Sequence, residues 1–256
     1  MNKTNRTIGK GWVSCLLAAA LASCMGEGGN PVRYSSRMAV VQEKPWKSLY
    51  VTEEAVPEGY LVSSSDFETR DDLKDGDCCL VEYKIDFSDQ YKDGVYEARI
   101  LRCDPIDVWP VKPQLTDTAF IFPYEQFTAL SFPKSQYMKG RYFLEIQMKE
   151  HQDTRPDFVE LSYDPEETPV ASSDGRRAYH LFLRAWREEA PDTIKPYSRV
   201  VPSAFVLEDF VGEKAGAEKQ TGADELHFVI CYPERFNTDS TGLIWAVTDT
   251  FSVRLD

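Results

Sequence analysis

The chain has 256 residues, with 29 Lys and Arg against 42 Asp and Glu and a formal net charge of −13 at pH 7. A surface this acidic is repelled by phosphate backbones, which argues against nucleic acid as a partner. The length allows one large or two small domains with a real core.

Residues 1–11 carry Lys3, Arg6 and Lys10 and no acidic residue, and residues 12–22 form a short apolar run. That run has 11 residues, whereas crossing a bilayer takes roughly 20, so the pattern is that of a removable signal peptide over residues 1–23. The small residues end in Leu21-Ala22-Ser23-Cys24, which resembles the lipobox of bacterial lipoproteins. The resemblance implies a thioether-linked lipid on the Cys24 sulfur, cleavage before it and acylation of the new amino terminus. Two acyl chains suffice for stable anchoring. Cleavage removes three basic residues and leaves 26 Lys and Arg against 42 Asp and Glu, a net of −16. The lipid, and not a basic patch, is then the expected hold on the membrane.

Residues 24–45 are rich in Gly, Ser and charge and read as a tether with a reach on the order of 25 Å. Beyond it the chain is written in strands. Val81, Tyr83, Ile85 and Phe87 alternate with charged or polar residues, and after Asp93-Gly94 the alternation resumes at Tyr96, Ala98 and Ile100, which predicts a hairpin. Period-2 patterns return at Tyr142 to Met148, Val159 to Tyr163 and Tyr179 to Ala185, and shorter apolar runs lie at 49–52, 60–63, 127–132, 200–207, 226–232, 243–247 and 251–255. About a dozen such strands predict an all-β protein.

The segment DPIDVWPVKP from Asp104 interrupts the series, because proline cannot donate to a ladder. The domain boundary is expected shortly after it, near Thr118, dividing the chain into 46–118 and 119–256. A single helical turn is expected at 123–127, and the polar stretch 212–225 reads as a long loop.

Four cysteines follow Cys24: Cys78, Cys79, Cys103 and Cys231. They are too sparse for a disulfide scaffold and read first as free buried thiols, and no paired C-x2-C spacing supports zinc. If the two apolar faces of the hairpin coincide, cross-strand partners have an odd sum. Cys79 then lies on the core face and Cys103 on the other, so Cys78 with Cys103 is the pairing that geometry permits.

The three histidines, His151, His180 and His227, belong to no catalytic motif. Glu166-Glu167, Glu188-Glu189 and nearby Asp164 read as solvated turn charges rather than as a glycosidase pair or a calcium site. No catalytic residue, metal or cofactor is expected. In HLFLRAW, Phe182 and Trp186 point away from Leu181 and Leu183, roughly 13 Å apart. They are the candidate ligand-binding residues, for sugar rings in particular, unless another part of the chain covers them.

The order of these pieces resembles the NigD-like lipoproteins, carried by GDCCLVEYKI at 76–85, IDVWPV at 106–111, RYFLEIQMK at 141–149, FVELSYDPEE at 158–167, HLFLRAW at 180–186 and SRVVPSAFVL at 198–207. The resemblance implies a small OB-like β-barrel followed by a β-sandwich domain, in a lipid-anchored protein of the cell envelope, most naturally at the outer membrane. It supplies no catalytic residues. Two roles stay open: a non-catalytic accessory or interaction component of an envelope complex, and a ligand-binding, for instance glycan-binding, module.

Overall fold

A computed structural model describes residues 31–53, 56–126, 128–131, 137–148, 158–190, 193 and 198–255. Cys24 and His151 lie outside the described residues.

The first unit is built from β1 (Val32–Gln42), β2 (Ser48–Glu53), β3 (Val56–Ser63), the short helix α1 (Ser65–Glu68), β4 (Cys78–Lys92) and β5 (Val95–Lys112). β1 pairs antiparallel with β2 and β4, β2 with β3, and β4 with β5, while β3 runs parallel to the start of β5. These pairings close a five-stranded barrel with the helix inserted between its third and fourth strands, the arrangement of an OB-fold. Asp93 and Gly94 both have positive φ, 43° and 83°, and form the two-residue turn that the Asp-Gly signal called for. Ser64 caps α1 by accepting from the Phe67 amide, and Phe67 is buried in the barrel core.

The second unit is a sandwich. One sheet holds β6 (Thr128–Ser131), β7 (Tyr137–Met138), β8 (Arg141–Met148) and β12 (Arg199–Val206). The other holds β9 (Phe158–Tyr163), β10 (Val170–Ala171), β11 (Arg177–Trp186), β13 (Glu225–Phe236), β14 (Leu243–Val247) and β15 (Phe251–Arg254). Tyr142, Leu144, Ile146 and Phe205 from the first sheet share one buried core with Leu161, Leu183, Phe228 and Ile230 from the second. The helix α2 (Glu208–Gln220) adds Phe210 to it.

β5 joins the two units. Its first part belongs to the barrel, Asp107 to Pro110 pair with Ser203 to Val206 of β12, and Val111 and Lys112 pair with β9. Where the units meet, Met38, Val40, Cys78, Ile106, Met138, Phe143 and Ala204 form a further buried cluster. The alternation of β1 explains this: Ala39 and Val41 enter the barrel, while Met38 and Val40 face the sandwich. Strands buried on both faces read as apolar runs rather than as clean alternation.

Several sequence expectations differ from the structure. The stretch read as a tether over 24–45 contains β1 from Val32 onward, so the barrel begins within it. The chain does not leave the first unit near Thr118, since β5 already pairs with the sandwich from Asp107. The proline-rich segment is strand through Lys112, with the rings of Pro105 and Pro110 exposed at the points where β5 changes partner. Residues 123 and 124 form a turn and not a helix. Most of the stretch read as a loop over 212–225 is α2.

Candidate functional site

The outer face of the β9–β11–β13–β14 sheet carries the predicted pair. Residues 113–126 cross it as a strap whose anchor is Arg184, at the centre of HLFLRAW. Its Nε donates to Glu125 Oε1 at 3.0 Å and its Nη2 to Glu125 Oε2 at 2.5 Å. Nη1 donates to the Asp117 carbonyl at 3.0 Å and Nη2 to that of Phe120 at 2.7 Å. Glu125 also accepts from the Phe122 amide at 3.0 Å, and the Gln126 amide donates to the Ala185 carbonyl at 2.7 Å. Both charges of the pair are buried and hydrogen-bonded, the condition under which a buried ion pair is tolerable.

Phe182 and Trp186 sit on either side of this anchor. Trp186 lies between two parallel rings, Phe122 at 4.1 Å and Phe158 at 5.2 Å between centroids. The Arg184 guanidinium lies 4.2 Å from the centre of the Phe122 ring. Phe182 meets Trp245 edge to face at 5.7 Å, and the Trp245 indole donates to the Thr118 carbonyl at 3.3 Å. The pair is therefore covered by the strap and β14 and does not form an open platform. The exposed rings are at the margin: Phe120 is 50%, Tyr124 47% and Phe158 37% exposed. Arg184 and Glu125 were missed in the sequence. The available signal was a charged residue on the same strand face as two large aromatics, a position that requires a buried partner.

A second polar cluster lies under α2. Phe210, Lys214 and Glu218, spaced by four, are the buried residues of the helix. The Lys214 ammonium donates to the Pro165 carbonyl, lies 3.0 Å from Glu213 Oε1, and sits within 5.7 Å of the Tyr163 and Tyr179 ring centres. The Tyr163 hydroxyl donates to Glu213 at 2.6 Å and the Tyr179 hydroxyl to Glu218 at 2.9 Å. Burial and the neighbouring Glu218 push Tyr179 up to about 12. Burial would raise Glu213, but the bonds from Tyr163 and Lys214 outweigh it and hold the carboxyl below its ordinary value. A cleft of about 320 Å³ lies alongside. The acids here are committed to tyrosine hydroxyls and to Lys214, so the cluster serves to seat the helix.

The remaining predicted residues take ordinary places. His180 Nδ1 pairs with Glu167 Oε1 at 2.6 Å, and His227 Nδ1 with Ser252 at 2.8 Å. Asp164 accepts from the Glu166 amide at 2.9 Å within its own turn. Among the described residues, no group of three or more His, Cys, Asp or Glu side chains is placed to hold a metal ion.

The expected facing of Cys103, and with it the Cys78–Cys103 pairing, is corrected. Tyr83 pairs with Ile100, as the odd-sum rule requires, but Glu82 pairs with Arg102, leaving Leu101 as a bulge. Beyond that extra residue the parity reverses. Cys103 faces inward, toward Cys79, while Cys78 lies in the cluster between the units. Cys78 and Cys103 are not brought together, and the four described cysteines are free thiols.

Residues 29–95 match the family described as the lipoprotein OB domain. No curated protein matches the chain. Among solved structures, an uncharacterized protein from Parabacteroides merdae has a TM-score of 0.69 at 19% identity, covering 86% of this chain and 99% of that one. A Bacteroides fragilis protein assigned as a lipoprotein has a TM-score of 0.54 at 13% identity, covering 88% and 98%. A NigD-like immunity protein from Bacteroides caccae has a TM-score of 0.49 at 11% identity, covering 89% and 99%. The barrel is thus an OB domain of the lipoprotein type, as the resemblance read from the sequence implied. The P. merdae and B. fragilis proteins share the two-part fold over nearly their whole length.

Proposed function

We propose that this protein is a lipid-anchored component of the cell envelope, held at the outer membrane through Cys24, and that it works as a non-catalytic accessory or interaction protein. One observation carries the reading: the lipobox-like Leu21-Ala22-Ser23-Cys24 stands directly before a domain that matches the lipoprotein OB domain over 29–95. Val32, the first residue of the barrel, is eight residues beyond Cys24. Even fully extended, that chain spans at most roughly 30 Å. The barrel is then held close to the headgroups, with its acidic surface beside the membrane.

A glycan-binding role on the Phe182 and Trp186 pair would need the strap to leave. The exposed rings of Phe120, Tyr124 and Phe158 favour, as a second reading, a ligand bound at the strap margin, where aromatic faces contribute affinity without neighbouring charge.

Crosslinking in intact cells, followed by affinity capture of wild-type protein and Cys24→Ser, tests the main reading. A defined set of envelope proteins recovered with the wild type and lost with Cys24→Ser supports it. The same neighbours recovered with both contradict it. Retention of a glycan that Phe120→Ala with Phe158→Ala abolishes would favour the second reading.

A further inference from the structure

The bulge at Leu101 does more than reverse a parity. Val81 faces Cys103 and Cys79 faces Pro105 across the β4–β5 ladder, so Cys79 and Cys103 are diagonal neighbours on one face, turned into the barrel. Both side chains pack in the barrel core, Cys79 within it and Cys103 against it. Arg70, just beyond α1, donates Nη1 to the Cys103 carbonyl at 3.2 Å and sets its charge beside both sulfurs, with Asp72 holding the other side of the guanidinium. Cys79 is fully buried, whereas Cys103 is only partly buried. The hydrogen bond from Cys79, together with the Arg70 charge, holds Cys103 below the ordinary thiol value. The same bond and burial hold Cys79 above it. A partly exposed, charge-stabilised thiol beside a buried resolving thiol is the arrangement that thiol–disulfide exchange requires. Neither residue has a part in the anchor or in the strap.

We propose that Cys79 and Cys103 are a reversible dithiol–disulfide pair that reacts with disulfide-bearing oxidants. Cys103 gives its proton to solvent and its thiolate attacks one sulfur of the oxidant. The oxidant's S–S bond breaks, and the sulfur that was not attacked leaves as a thiolate that takes up a proton. Cys79 then loses its proton and attacks the Cys103 sulfur in the mixed disulfide, expelling the second oxidant thiolate, which is protonated in turn. Two protein thiols are oxidised to one disulfide, and one oxidant disulfide is reduced to two thiols. The product staples β4 to β5 at the bulge, a few residues before β5 enters the sandwich. The supply of such an oxidant in the cell rests on the envelope reading, since exported compartments sustain disulfides. The chemistry of the pair does not.

The test uses the full chain purified in detergent, incubated with oxidised glutathione, quenched with N-ethylmaleimide and digested with trypsin without reduction. Cys78 and Cys79 share one tryptic peptide. Fragmentation between them therefore assigns the partner in the wild type, and Cys78→Ser and Cys79→Ser assign it independently. The expected result is a peptide joined through Cys79 and Cys103, retained in Cys78→Ser, lost in Cys79→Ser and released by dithiothreitol. Should Cys79→Ser not fold, the wild-type fragmentation decides alone. Maleimide on both Cys79 and Cys103 after oxidation overturns the proposal, and so does a link through Cys78. Fatty-acid labelling of Cys24 is a separate readout: an unlabelled chain that still forms the link leaves the pair standing while the envelope reading fails.

Discussion

Arg184 and Glu125 form a two-pronged ion pair whose side chains are 1% and 0% exposed. It is the central fastening of the strap, beside the Gln126 amide on the Ala185 carbonyl and the Trp245 indole on the Thr118 carbonyl. The guanidinium orders the Asp117 and Phe120 carbonyls and stacks on Phe122, which in turn covers Trp186.

Glu125→Ala leaves the Arg184 charge buried without its partner. The expected cost is about 3–5 kcal/mol, read as a lower urea midpoint. The strap should also become open to chymotrypsin, which cuts after residues such as Phe120, Phe122 and Tyr124. Replacing both partners, Glu125→Leu with Arg184→Met, should cost less than Glu125→Ala alone. An unchanged midpoint and an intact strap in Glu125→Ala would mean that the pair does not fasten it.

Phe182→Ala and Trp186→Ala should each destabilise, because both rings pack against partners. For side chains only part-buried, the loss is on the order of 2 kcal/mol each. That is several degrees in thermal midpoint for a chain of this size. A double variant with an unchanged midpoint would restore the view of these rings as a free binding platform.

Alkaline pH should weaken the fold through its buried thiols. Burial pushes Cys78 up to about 12 and Cys231 up to about 11, above the ordinary 9.0. Folded values above the unfolded one favour the neutral thiol in the folded state. That stability is fully present below about pH 9 and is lost as pH rises through about 11 to 12. Urea midpoints at about pH 8 and about pH 11 check it, and in Cys78→Ala the drop between them should shrink.

Lys214→Ala should loosen α2, removing both the donor to the Pro165 carbonyl and the stem packed on Tyr163 and Tyr179. The expected cost is about 1–3 kcal/mol. Lys214→Met, which keeps the stem, should retain part of the loss. Equal effects from the two would assign the role to the ammonium alone. Hydrogen exchange along 208–220 distinguishes helix loosening from a global effect.

The legibility of the sequence followed burial on one face. The hairpin of β4 and β5 and its Asp-Gly turn were readable because one side of each strand is apolar and the other wet. β1 was hidden because its apolar part is buried on both sides, Met38 and Val40 outward and Ala39 and Val41 inward, while the residues before it are polar and largely exposed. α2 carried no apolar period because two of the three buried residues on its inner stripe are Lys214 and Glu218. The Cys103 error came from a single residue, Leu101, since a bulge changes no composition and yet turns every later side chain over. The Phe182 and Trp186 strand was read correctly as two-faced. What covers its outer face, a strap more than fifty residues earlier in the chain, left its only local trace in Arg184.

The central claim is that Cys24 is the membrane anchor of a domain that begins eight residues later. Intact-mass analysis of the mature protein, isolated from membranes with its amino-terminal peptide sequenced, tests it most directly. The account predicts an amino terminus at Cys24 carrying a thioether-linked diacylglycerol and an acylated amine, and no such product from Cys24→Ala. A mature chain that begins elsewhere, or that begins at Cys24 with an unmodified thiol, would contradict it.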